Sequence, residues 1–427
     1  MEWQVTASTQ VDDLKTKADF LFRRIAELTA DTVGVSRPSF GEGESKAIEF
    51  LETYARSHGI HTWRDRAGNI NFRLEETAPD QVILTGSHMD SVPQGGNYDG
   101  LAGVIAGLVL LIDIQRSGHA PKIPLQVIGI RGEESAWFGQ TYVGSKALLG
   151  LLDPSAFDAE RRVTGKPLRT YLERIGADVA AIANGEPLID PSGIRMFLEL
   201  HIEQGPVLVS RDLPLGIVTG IRGNVRYRIV RCVGESGHSG AVPRWLRRDA
   251  VFAVSDLVSR LDDHWQTIEQ HGGDLVLTVG TFHTDAEHDA MSRVPGETEF
   301  SFEARSQSET TLEAMKALLK SECETIEQKR KVQFHFDAEV RSASAQLAPE
   351  IIEGLCEACR EEGYEDLTLP SGAGHDASIF ANAGIPSGMI FIRNRNGSHN
   401  PEEAMDMVDF MAGVAVMRRF LNGYGAP

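Results

Sequence analysis

The run Gln81-Val-Ile-Leu-Thr-Gly-Ser-His88-Met-Asp90 limits what this chain can become more than any other stretch. Its apolar body reads as a buried strand, and it ends in histidine and aspartate. Gly95-Gly-Asn-Tyr-Asp99-Gly100 follows as a glycine-rich loop, and Leu101 to Ile114 then reads as an apolar helix. The same design recurs. Leu125-Gln-Val-Ile-Gly-Ile130 leads into Arg-Gly-Glu133-Glu134, and Met196-Phe-Leu-Glu-Leu200 leads into His201. Ser387 to Ile392 precedes His399 in Asn396-Gly-Ser-His-Asn-Pro401. Strands alternating with helices predict an α/β fold, and in open α/β sheets ligand sites lie beyond the carboxyl ends of the strands. His88, Asp99, Glu134, His201 and His399 are therefore expected in one crevice.

Those residue types suit a metal. Borderline divalent ions take imidazole and carboxylate ligands, and a catalytic site leaves a position open. Five ligands for two ions require one carboxylate to bridge, and Asp99, between two glycine-flanked turns, is best placed for that. Two ions about 3.5–4 Å apart would bring the pKa of a shared water near neutrality. Glu133, beside a ligand, would then be the general base and acid. The set accepts Zn²⁺, the first expectation, as well as Mn²⁺, Co²⁺ or Ni²⁺. An acidic pair is more often a solvated helix start, and His58, His61, His119, His264, His271, His283, His288 and His335, which lack a strand-end glycine frame, are expected to be ordinary histidines.

Six segments together resemble a known family. They are Gly86-Ser-His-Met-Asp-Ser91, Gly95-Gly-Asn-Tyr-Asp-Gly-Leu-Ala-Gly-Val104, Gly132-Glu-Glu134, Glu199-Leu-His-Ile-Glu-Gln-Gly205, Ser371-Gly-Ala-Gly-His-Asp-Ala377 and Ser398-His-Asn-Pro-Glu402. They resemble the hydantoinase/carbamoylase branch of the M20 metallopeptidase superfamily, which includes N-carbamoyl-L-amino acid amidohydrolases, β-ureidopropionases and allantoate amidohydrolases. The resemblance runs from about Phe22 to the last helix, and the segment from Glu199 to Gly205 is the branch-specific one. It implies an α/β/α metallohydrolase catalytic domain with an inserted ferredoxin-like (βαββαβ) lid and dimerisation domain. His88, Asp99 and His201 would hold one metal, Asp99, Glu134 and His399 the other, and Glu133 would be the base.

The resemblance also implies that His238, in Gly237-His-Ser-Gly240, polarises the substrate carbonyl, often from the partner subunit of a homodimer. Arg305 would bind the substrate carboxylate, and Gln204, Asn224, Ser292, Gly372 and Ala373 would surround the substrate. The implied reaction is hydrolysis of the ureido C–N bond of an N-carbamoyl amino acid to amino acid, ammonia and carbon dioxide. Two departures leave the substrate open: Ser292 stands where relatives carry asparagine, and Arg393-Asn-Arg-Asn-Gly397 is more basic than usual. Arg393 and Arg395 either serve an additional anionic group or face solvent. An amidohydrolase for allantoate or an N-acyl amino acid, an M20-type dipeptidase and a non-catalytic binding protein are the alternatives.

The pattern along the chain divides it into a discontinuous catalytic domain, 1–214 and 342–427, and an insert, 215–341. Within the insert, Asn224–Val233 reads as a strand, Arg248–Trp265 as a helix, Leu275–Thr284 and Thr298–Arg305 as strands, Thr311–Arg330 as a helix and Val332–Val340 as a strand. Pro349–Glu362 and Pro401–Gly423 read as helices, the latter with a Pro-Glu-Glu start suited to a helix N-terminus. A net charge of −19 argues against nucleic acid or an anionic membrane as partner. A small molecule is expected instead. Cys356-x-x-Cys359 has no second pair and lies in an amphipathic helix, so spectator thiols are expected. The Met-Glu-Trp-Gln-Val start lacks signal character and no apolar run is long enough to span a bilayer, which makes cytoplasm the default.

Overall fold

The computed structural model describes the chain from Glu2 to Tyr424, with side chains from Asp13 onward. The four apolar runs become the strands Leu125–Ile130, Val82–His88, Ile194–Ile202 and Ser387–Ile392, which lie side by side in that order and all parallel. Apart from Arg195, every residue in them is buried, so both faces are covered, as a parallel sheet requires. Ile70–Arg73 and Leu215–Ile221 flank the four as antiparallel neighbours. The result is a mixed α/β fold.

The helix Leu101–Ser117 is buried from Leu101 through Ile114. It lies so close to the sheet that a Cβ on Gly103 would come 2.4 Å from the Leu200 carbonyl oxygen and 2.7 Å from Ser87 Cβ. That approach holds the helix start, and Asp99 before it, at the strand ends.

The closing helix differs from its expectation. It spans Met407–Gly423, while Ala404-Met405 pairs with Asn394-Arg395 as a short antiparallel ladder. The Pro-Glu-Glu segment is a turn because Glu403 points inward, where its carboxylate accepts the backbone N–H groups of Tyr98 and Asp99.

The chain separates into two compact units, Met1–Thr219 with Gln346–Pro427, and Gly220–Ala345. The first divide falls within the strand Leu215–Ile221, later than residue 214, because Leu215, Gly216 and Ile217 pair with the first unit's sheet. In the second unit Gly223–Val233 and Glu297–Ser306 pair antiparallel at the centre. Gln333–Phe336 and Val340–Ser342 lie along the outer side of the first of these, and Val276–Thr278 and Phe282–Thr284 along that of the second. Helices Ala250–Gln270 and Glu309–Arg330 bury Leu257 and Leu319 with Val225, Phe300 and Phe302. Glu297–Ser306 alternates strictly between buried and partly exposed residues, the mark of a sheet with one packed face.

Two expected strands here are broken. Leu275–Thr284 is interrupted where Gly280 and Thr281 donate their N–H groups to Ser301 Oγ instead of a ladder. Val332–Val340 is interrupted opposite Arg228-Ile229, a β-bulge in which two consecutive side chains are exposed. No helix among the described residues is long and apolar enough to cross a membrane.

Candidate active site

His88 ends its strand, His201 is next to last in its own, and Asp99 precedes the buried helix. Asp99 Oδ1 lies 3.5 Å from His88 Nε2 and 3.1 Å from His201 Nε2, and those two nitrogens are 3.5 Å apart. Asp99 Oδ2 is 3.3 Å from His399 Nε2, which is 3.4 Å from Glu134 Oε1. Asp99 thus belongs to both groups of donors, His88 with His201 and Glu134 with His399. Bonds of about 2.0–2.2 Å to a tetrahedral ion would put ligand atoms about 3.3–3.6 Å apart. The donors fit a divalent metal in spacing and in kind.

The surroundings of these atoms fit it too. Asp99 Oδ1 is buried with no hydrogen-bond partner. His201 Nδ1 faces the Ile202 carbonyl at 2.8 Å and His88 Nδ1 the Asp90 carbonyl at 3.1 Å. Imidazoles that donate Nδ1–H to a carbonyl present their Nε2 lone pairs to a metal. Burial alone would lower His88, but Asp90 and Asp99 keep it well above the usual imidazole range, and Asp99 and Glu134 push His399 up to about 11. Gly100 permits the crowding: its φ is +68°, and a Cβ there would come 2.5 Å from the His88 ring.

Glu133 and Glu134 are not a solvated helix start. Both are buried in the irregular segment just before a turn, and their backbone N–H groups donate to the two carboxylate oxygens of Asp90, at 3.1 Å each. Asp90 also accepts from Ser39 and so ties the His88 strand end to the glutamate pair. Burial pushes the Glu133 carboxyl well above the usual carboxylate range; Glu134 and Asp376 push the same way, while His88 opposes them.

Sequence reasoning quoted Asp90 and His375 only inside motifs and gave neither a role. His375 is buried edge-on to His201, with ring centroids 4.4 Å apart, and shares a hydrogen bond with Ser371 Oγ. Burial holds it well below the usual range, hence neutral. Glu199, near the same histidines, binds Ser87 Oγ with one oxygen and the Ala377 N–H with the other, which makes it a tie between elements. A buried acid or histidine inside a glycine-rich motif was the only available signal for these residues.

Known proteins share much of this chain's sequence and fold. The profile described as Peptidase family M20/M25/M40 matches residues 84–423. The chain belongs to that family. This M20 protein is 32% identical to an N-carbamoyl-L-amino acid amidohydrolase of Geobacillus stearothermophilus over 93% of this chain and 96% of that one. It is also 32% identical to the allantoate amidohydrolase of Escherichia coli (strain K12), over 87% of this chain and 90% of that one. A solved hydantoinase/carbamoylase family amidase from Burkholderia ambifaria superposes with a TM-score of 0.83 at 25% identity, covering 96% of this chain and 97% of the other. The M20 protein is accordingly an amidohydrolase of the hydantoinase/carbamoylase type.

The remaining expected residues of this M20 protein fall into several places. Gln204, at φ +61°, donates Nε2–H to Asp99 Oδ2 at 2.8 Å, and Ser398 Oγ donates to the same oxygen. Gly372 and Ala373 lie in the turn closed by Ser371, whose hydroxyl accepts the Ala373 N–H. Arg393 is held by Asp409 and Asp212, and Arg395 by Asp406. Both arginines of that loop thus already carry an aspartate partner.

Within the Gly220–Ala345 unit, Asn224 stands directly opposite Arg305 on the neighbouring strand. Asn224 Oδ1 is buried without a partner, and Arg305 meets Glu303 at 3.1 Å. His238 is exposed, accepts the Gly240 N–H at Nδ1, and sits across from Arg293, next to Ser292. Cys356 and Cys359 are free, buried thiols, with Cys359 pushed up to about 12 by burial.

Proposed function

We propose that this protein hydrolyses the ureido C–N bond of an N-carbamoyl amino acid, giving the free amino acid, ammonia and carbon dioxide. The observation that carries the reading is Asp99, a buried carboxylate with an unpartnered oxygen facing two imidazoles and its other oxygen facing a third. His88, Asp99 and His201 would hold one ion, and Asp99, Glu134 and His399 a second, Zn²⁺ first and Mn²⁺, Co²⁺ or Ni²⁺ by the same donors. Such ions supply Lewis acidity toward the carbonyl oxygen and make a water more acidic.

Glu133 takes a proton from the attacking water and delivers it to the departing nitrogen. One water suffices: the carbamic acid released beside the amine breaks down to ammonia and carbon dioxide. His238 accepts at Nδ1, which places its proton on Nε2, where it can donate to the developing oxyanion. Arg305, with Asn224 opposite, takes the substrate carboxylate in its guanidinium fork and gives up Glu303 to do so. Gln204, Gly372 and Ala373 line the carbonyl end, and Ser292 offers a shorter side chain than the asparagine that the resemblance leads one to expect.

In the Gly220–Ala345 unit the strands run fourth, first, third, second, each antiparallel to its neighbour, beside two helices. That order supports a ferredoxin-like unit, and the roles of lid and homodimer contact are what the family resemblance implies for it.

Allantoate is the second reading, since the relative named for it is as similar as the one named for carbamoyl amino acids. The deciding experiment is ammonia release from N-carbamoyl-L- and D-amino acids, N-carbamoyl-β-alanine and allantoate, with free-amine release from N-acetyl and N-formyl amino acids. Each is run with Zn²⁺ or Mn²⁺ and again after chelation. Metal-dependent ammonia release from a carbamoyl amino acid supports the proposal; release from allantoate alone, or turnover of acyl substrates alone, replaces it.

A further inference from the structure

Arg37 and Arg131 are the largest fully buried side chains among the described residues, both 0% exposed, and they are neutralised differently. Arg131 meets Glu44 at 2.7 Å. No carboxylate comes within ion-pair distance of Arg37 among the described residues. Its guanidinium instead donates Nε–H to the Met89 carbonyl (2.9 Å), one terminal N–H to Asn97 Oδ1 (3.0 Å) and the other to the Asn97 carbonyl (3.4 Å). The Arg37 backbone completes the tie, donating to Ser91 Oγ and accepting the Ser91 N–H. Asn97 is in turn fixed to the first helix through the Phe22 carbonyl.

All these acceptors lie on one segment, and its two ends are the residues of interest. Met89 follows His88 directly, and Asn97 is two residues before Asp99. One rigid fork therefore grips the loop at both ends and sets how far His88 stands from Asp99. A lysine could keep the charge but has no rigid planar fork to span both ends of the loop. Isolated burial of a cation is costly, and carboxylates at longer range offset it: burial lowers the Arg37 pKa, while Glu403, Asp90, Asp99 and Glu44 raise it.

We propose that Arg37 is a positioning residue for the metal ligands, bracing Met89 against Asn97 so that His88 and Asp99 are held at metal-binding separation. This rests on the reading above that these residues hold a metal. A brace and a mere counter-charge predict opposite results. Removing a neighbouring cation should by itself strengthen cation binding, whereas removing a brace should weaken it.

The test is Zn²⁺ affinity of the full-length chain by competition with a chromophoric chelator, alongside the thermal midpoint of the metal-free protein. Arg37→Lys and Arg37→Met should both weaken Zn²⁺ binding by about 10–100-fold, the range for groups that orient metal ligands. Asn97→Ala, which keeps the arginine and removes one acceptor, should weaken it severalfold and serves if Arg37→Met fails to fold. Unchanged affinity in Arg37→Lys with tighter binding in Arg37→Met would leave only a charge effect and overturn the brace. A lowered thermal midpoint with affinity within twofold of wild type would overturn it as well. His201→Ala is the control: if it binds Zn²⁺ as wild type does, the metal reading itself fails and this inference with it. If it loses Zn²⁺ while Arg37→Lys does not, the inference alone fails.

Discussion

The two sides of Asp99 are built in different ways. On one side His88 and His201 are buried at strand ends, each with Nδ1 against a carbonyl, and Asp99 Oδ1 has no other partner. On the other, His399 is 51% exposed, sits in a loop at φ +61°, and faces an oxygen that already accepts from Gln204 and Ser398. The first side is largely preformed by the sheet, although His201 Nε2 already accepts the Gly100 N–H at 3.2 Å. The second stands on loops, with Glu134 buried and His399 exposed. If both groups hold ions as proposed, the sheet-borne donors would give affinity and order, and the exposed histidine would leave room for exchange and for substrate.

The largest effect should come from the preformed side. His201→Ala should lose Zn²⁺ affinity by far more than the ~100-fold typical of outer-shell changes, and with it all turnover, read by equilibrium dialysis and ammonia release. Retained metal would break the comparison at once. Glu133→Gln should lower turnover by about 10²–10⁴-fold with metal content unchanged, because it removes proton transfer and leaves both sides of Asp99 intact. Wild-type turnover in that variant would remove Glu133 as the base.

Arg131→Met should cost about 3–5 kcal/mol of stability in urea denaturation, since it leaves Glu44 buried without its cation beneath the glutamate pair. A loss under 1 kcal/mol would show that this pair is not supported from below. His399→Ala should retain one tightly bound ion of two, with little change in thermal midpoint; loss of both ions would mean that the sides are not separable. Ser398→Ala is the smallest change. It removes one donor competing for Asp99 Oδ2 and should alter the weaker metal affinity by less than about tenfold.

The fold was legible where burial leaves a simple trace in the sequence. Strands covered on both faces give unbroken apolar runs, and Glu297–Ser306, packed on one face, gives alternation. The residues that the structure gathers around Asp99 were legible because each ends such a run or follows one after a short loop. What escaped depends on contacts between distant segments. The Pro-Glu-Glu turn resembles a helix start until Glu403 is seen capping the Tyr98 and Asp99 N–H groups. Arg37, Asp90 and His375 act on neighbours far away in the chain, and no periodicity marks them. Arg393 and Arg395 look available until their aspartates appear.

The position of the strand Ser387–Ile392 has a consequence for how the protein is made. It pairs with Ile194–Ile202 on one side and Leu215–Ile221 on the other, so the last long strand of the chain fills a gap between two earlier ones. Until that segment leaves the ribosome, two strand edges stay unpaired around an apolar slot, a template for association with other chains. A polypeptide stopped short of Ser387 would therefore lack His399 as well as the strand that fills this slot, and would present the two open edges to other chains.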